Sequence, residues 1–118
     1  MDIKTANEQR EPFEFTCAGE PVKGEFFPYR VTPTYLANLR QLATKAADSS
    51  EQPENSDARM ISDLVENWDV TNGGEPFPPT PENLREAPLV LLSRAAMGIL
   101  SHVGKLSIQP ESKTSPND

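Results

Sequence analysis

The chain has 118 residues, 18 Asp and Glu against 11 Lys and Arg, a net charge of -7 and a hydrophobic content of 36%, which is a length for one domain with a small core. Its 12 prolines exclude a coiled coil and long uninterrupted helices, because each removes a backbone donor and clashes with the preceding turn. The acidic balance excludes a general nucleic-acid binder, the single Cys17 excludes an internal disulfide or a cysteine zinc cluster, and no apolar run approaches the roughly 18 residues of a membrane span.

Residues 1–12 are polar and aperiodic and read as a mobile N-terminal arm, without the apolar segment of a secretory leader. Phe13, Phe15 and Cys17 then alternate with Glu14 and Thr16, the period-two pattern of a half-buried strand. A turn at 18–21 and a second run over 22–27 complete a hairpin that Pro28 ends. Gly24 inside that run marks a bulge or a close backbone approach. Six of the eight aromatic residues fall between Phe13 and Tyr35, to fill the protein's own core or to meet a partner.

Thr32-Pro33 opens the first main helix, with Thr32 as cap and Pro33 at a position that needs no donor. Tyr35, Leu36, Leu39, Leu42, Ala43 and Ala46 lie on one of its faces. Residues 48–56 carry no apolar side chain and read as an exposed loop or hinge. A second helix is expected from a cap at Ser56 or Asp57, with Met60, Ile61, Leu64, Val65 and Trp68 as its stripe and its end near Trp68. Asn72-Gly73-Gly74 signals a turn, and Pro76-Phe77-Pro78-Pro79 an extended link. Thr80-Pro81 repeats the helix-start grammar of Thr32-Pro33 for a short helix that Pro88 stops. The last helix follows Pro88 and ends at Gly104, with Leu89, Leu92, Ala96, Ile99, Leu100 and Val103 as its buried stripe, widened by Leu91, Ala95 and Met97. Residues 107–118 are too polar to fold and read as a disordered tail. The expected architecture is mainly α: three to four short helices in a small bundle over 13–106, opened by an N-terminal β-hairpin or extended arm over 13–31.

Catalytic and cofactor chemistry finds little purchase. His102 and Cys17, each the sole residue of its type, stand in different elements, and a nucleophilic pair needs a base within hydrogen-bond reach. Asp69-x-Thr71-x-Gly73-x-Glu75 is a poor calcium loop, since Thr80 stands where a bidentate Glu is required. Gly73-Gly74 lacks the lysine of a phosphate loop. No catalytic, cofactor-binding or metal-binding residue is assigned, and an enzyme is not expected.

The order of parts around Trp68 carries more. A helix runs into Val65-Glu66-Asn67-Trp68-Asp69-Val70-Thr71, followed by a turn at Gly73, Glu75-Pro76-Phe77-Pro78, then Thr80-Pro81-Glu82-Asn83-Leu84 and an apolar helix. This arrangement resembles the tail assembly chaperones of long-tailed (siphovirus-type) bacteriophages, and Val31-Thr32-Pro33 resembles the helix start of some members. The resemblance covers roughly residues 13–104, and Trp68, Asp69, Thr71, Gly73, Pro76, Thr80, Glu82, Asn83 and Leu84 carry its motif. It implies an assembly factor of the host cytoplasm that binds the tape measure protein, keeps it soluble, promotes polymerisation of the major tail tube protein and is absent from the finished virion. It also implies a second product extended by ribosomal frameshifting, for which Gly104-Lys105 is a compatible slip point and which is itself a possible partner. Tyr35, Leu36, Leu39 and Leu42 are the expected surface for the partner helix. A tail completion or head–tail connector subunit and a small acidic adaptor or antitoxin are the alternatives; neither nucleic acid nor membrane is expected as a partner.

Overall fold

The computed structural model describes residues 1–48 and 55–108. The loop expected over 48–56 and the tail expected over 107–118 lie largely outside them. A short helix α1 (Ile3–Ala6), capped by Asp2, precedes the hairpin of β1 (Glu11–Cys17) and β2 (Glu20–Phe26). The strand therefore starts inside the stretch read as an arm. That stretch is tied down further: Arg30 donates from Nε to the Asn7 carbonyl at 2.7 Å, and Ala6 is buried. The hairpin turn is Ala18-Gly19, both at positive φ, the geometry that two-residue hairpin loops require.

After a 3-10 turn at Pro28–Arg30, α2 (Pro33–Asp48) starts as its sequence predicts, with Thr32 Oγ1 accepting from the Tyr35 N–H at 3.0 Å. The next helix, α3 (Ser56–Leu64), is capped by Asn55, one position ahead of the expected Ser56 or Asp57. It stops at Leu64, and Val65–Trp68 forms a strand, β3, antiparallel to β2. A mainly α bundle is thus incorrect. The fold is mixed α/β: a three-stranded antiparallel sheet of order β1-β2-β3, a two-stranded sheet of β4 (Thr71–Asn72) and β5 (Glu75–Pro76), and, among the described residues, five helices, of which α4 (Pro81–Arg85) and α5 (Leu89–Ile108) close the chain.

The misreading has a specific physical cause. In the β2–β3 register Gly24 faces Trp68, Glu25 faces Asn67 and Phe26 faces Val65, so Glu66 is an extra residue. A bulge of this kind puts Val65 and Trp68, three apart, on one sheet face. Three-residue spacing is also the helical signature, so the bulged strand continued the stripe of α3 without a visible break. At the same joint, a Cβ on Gly24 would lie 2.3 Å from the Asn67 carbonyl oxygen and 3.0 Å from the Phe13 ring. Glycine is the residue that lets these backbones approach.

One core holds the molecule together. Phe13, Phe15, Val22, Phe26 and Val65 from the sheet meet Met60, Ile61 and Leu64 of α3, Leu84 of α4, and Leu91, Leu92, Ala95, Ala96 and Ile99 of α5. The other sheet face carries exposed Glu14, Thr16, Lys23, Glu25 and Asn67, the division expected of an antiparallel sheet with one wet side. Helix α5 does not stop at Gly104 but continues to Ile108; a glycine inside a helix costs only about 1 kcal/mol relative to alanine, which does not end a helix by itself.

Candidate functional site

The residues that carry the family resemblance lie close together and mostly hold one another. Asp69 latches the end of β3 to β2: its N–H donates to the Lys23 carbonyl at 3.0 Å, and its Oδ1 accepts from the Lys23 N–H at 3.0 Å. The Trp68 indole N–H donates to the Phe77 carbonyl, and the Phe77 N–H donates to the Val70 carbonyl at 3.0 Å. Between these anchors Thr71–Asn72 and Glu75–Pro76 pair around Gly73 and Gly74, at φ 62° and 88°. Thr80 caps α4 through Oγ1, which accepts from the Asn83 N–H at 3.3 Å, while Asn83 Nδ2 reaches back to the Pro78 carbonyl at 2.9 Å. Glu82 sits exposed in the first turn of α4, where its charge suits the helix dipole, and Leu84 is inserted into the core at 1% exposure. The segment is a brace joining sheet, small hairpin and α4.

The four residues expected to receive a partner helix share α2, and all are half-buried. Tyr35 and Leu39 pack against the core. The Tyr35 hydroxyl donates to Asp63 Oδ2 at 3.0 Å, and Arg59 Nε donates to the same oxygen at 3.2 Å. Burial, followed by the hydrogen bond and charge of Asp63, pushes the Tyr35 hydroxyl well above its ordinary range and keeps it a donor. This face of α2 lies toward α3.

The large exposed apolar side chains gather elsewhere. On α5, Ile108 is 82% exposed, Leu89 and Met97 are each 69%, Val90 58% and Leu100 44%. Three of these, Leu89, Met97 and Leu100, were expected in the buried stripe, which is instead Leu91, Leu92, Ala95, Ala96 and Ile99. A groove of about 610 Å³ runs between this outer face and β1, lined by Phe15, Thr16, Leu89, Val90, Ser93, Arg94, Met97, Gly98 and Ser101. Its floor is close-packed: a Cβ on Gly98 would sit 3.4 Å from Phe15 Cβ. The signal missed in the sequence was the absence of any Asp or Glu over 89–108 in a chain that has 18. A helix apolar on nearly every side offers no polar face to orient its buried stripe, and the fold buries the side that carries Leu91, Leu92, Ala95, Ala96 and Ile99.

By length and composition α5 is long and apolar enough to cross a membrane, which corrects the expectation that no apolar run approaches that length, yet it supplies five of the core residues. Cys17 and His102, the pair weighed from the sequence, stand apart. Cys17 ends β1, whereas His102 Nε2 lies 3.5 Å from Glu11 Oε1 at the start of the same strand, with its ring edge-on to Phe26. Six residue steps along the strand separate the two ends by about 20 Å. Asp69 of the poor calcium loop is engaged with Lys23, and among the described residues no group of three His, Cys, Asp or Glu converges on a point. A second recess, of about 540 Å³, opens between the β1–β2 turn and the brace, with Glu20, Asp69 and Glu86 among its lining residues. Gly104 and Lys105 are exposed in the last turns of α5.

Comparison with family models, curated proteins and solved structures finds no match for the chain.

Proposed function

We propose that this chain is a tail assembly chaperone of a long-tailed bacteriophage, acting in the host cytoplasm on the tape measure protein and the major tail tube protein. Besides the motif resemblance over Trp68–Leu84, one observation carries the reading: an exposed apolar face on α5 is set on an acidic body. All 18 acidic residues lie outside α5, which bears Arg94 and Lys105. A holding protein needs apolar surface to replace water on its client, and net charge to keep the complex dissolved. The alternative surface on α2 is already partly occupied by α3. A frameshift-extended product diverging after Lys105 would retain every buried apolar residue among those described, the last of which is Ile99. The folded domain would therefore survive in both products.

Co-expression tests the reading. With this chain present, tape measure protein is expected to move from the pelleted to the soluble fraction and to co-purify with it, while purified virions contain none of the chain. Tape measure protein that is equally soluble without the chain would refute the role. Retention of the chain in finished particles would reassign it as a structural tail subunit.

A further inference from the structure

We propose that the groove between the outer face of α5 and β1 docks one amphipathic helix whose apolar stripe is flanked by acidic residues. The proposal rests on the chaperone reading in taking this face as the client surface, and adds the client's chemistry. Leu89 to Leu100 spans eleven residue steps, about 16 Å of helix, enough to receive three turns of a partner. Strand addition is blocked. Arg94 Nη1 reaches the Thr16 carbonyl at 3.4 Å, Gly98 brings α5 against the Glu14 carbonyl, and Pro12 has no N–H to offer, so α5 itself covers the β1 edge. What remains open is side-chain surface of the kind that receives a helix by its i, i+3, i+4 anchors.

Charge selects the occupant. Arg94 and Lys105 make no ion pair with any described residue, and no acid lies within 89–108 to neutralise them. A second copy docked by the same face would present the same cations and no carboxylate from its own α5. An anionic bilayer would meet only two cations on this face, short of the polybasic patch that surface binding uses. A helix with Asp or Glu beside its apolar stripe fills the groove and meets Arg94 in its lining, with Lys105 further along α5.

The probe is a labelled alanine-based synthetic helix of about 20 residues with a leucine stripe, made in a Glu-flanked and a Lys-flanked form and titrated into the purified full chain by fluorescence anisotropy at low salt. The Glu-flanked helix is expected to bind at least about tenfold more tightly than the Lys-flanked one. Met97→Asp should weaken it by about tenfold or more, and Lys105→Glu by a few-fold with a gain for the Lys-flanked form. Both positions are exposed, and circular dichroism verifies the fold of each variant. Equal binding of the two helices, or unchanged binding by folded Met97→Asp, overturns the proposal. So does self-association of the chain that Met97→Asp abolishes, or binding to phosphatidylglycerol vesicles in place of the helix. Tape measure protein solubilised equally well by Met97→Asp would remove the groove and leave the chaperone reading standing. Helix binding without effect on tape measure protein would do the reverse.

Discussion

Two stretches of this chain, the brace over Trp68–Leu84 and the outer face of α5, invert what their sequences advertise. The brace holds the tryptophan, the Gly-Gly turn and the proline cluster, and several of its polar groups are engaged within it or with β2: indole N–H to Phe77, Asp69 to Lys23, Thr80 to Asn83. The α5 face is a plain run of leucine, valine, methionine, isoleucine and serine, and it leaves five large apolar side chains in water. Conspicuous residues here are spent on closing a small domain whose short strands could not hold their register unaided. The unremarkable run is where surface remains for something else. That contrast predicts large stability effects in and around the brace and small ones on the outer face of α5.

The largest is expected at Gly24, where the brace's strand meets the sheet. Alanine there places Cβ 2.3 Å from a backbone carbonyl, and neither backbone can turn away without breaking the ladder. Gly24→Ala should destabilise the chain by about 3 kcal/mol or more, readable as loss of cooperative thermal unfolding near room temperature. A near-normal melt would mean that β3 is not fixed against β2, and the brace would lose its anchor.

Leu84→Ala tests the other end of the brace. Leu84 is 1% exposed amid the core, so truncation should cost about 2–4 kcal/mol by urea denaturation. Trp68→Phe isolates the polar latch: the ring stays apolar but the Phe77 carbonyl loses its donor, for about 1 kcal/mol. If Trp68→Phe proved as damaging as Leu84→Ala, the indole would matter by its bulk rather than by its hydrogen bond. Thr80→Ala, which removes the α4 cap, belongs at about 1 kcal/mol as well.

How much of this could be read beforehand divides along physical lines. Local rules worked where one residue decides one geometry: Thr32 and Thr80 cap, Pro33 and Pro81 stand at helix starts, Asn72-Gly73-Gly74 turns. Gly24 was readable as a close approach, and that is what it makes with Asn67. Reading failed where long-range pairing set the conformation. Val65 and Trp68 continue a helical stripe in sequence, and only the extra residue Glu66, opposite β2, makes them a bulged strand. The α5 surface was missed for a related reason. Hydropathy says that a helix can be buried on every side, but only the number of neighbours in the fold says how many sides are covered. Tyr35, Leu36, Leu39 and Leu42 were correctly placed on one helix, while how far α3 covers them depends on a contact twenty-eight residues away, Tyr35 to Asp63.

The smallest stability effect sharpens the comparison most. Ala96 is buried at 4% and its neighbour Met97 is exposed at 69%, a change produced by one 100° step around α5. Met97→Ser removes a large apolar side chain yet touches no core contact. Its cost should be limited to the difference in helix propensity, within about 0.5 kcal/mol, and its melting temperature should match the parent within about 2 °C. If α5 instead packs through this face in the isolated chain, by self-association or by closure of another segment over it, the same substitution would cost two to three times as much. The melting temperature of the parent would then rise with protein concentration in the first case and not in the second. An unchanged melting temperature with lost client binding is the combination expected of a face whose apolar groups are kept for a partner.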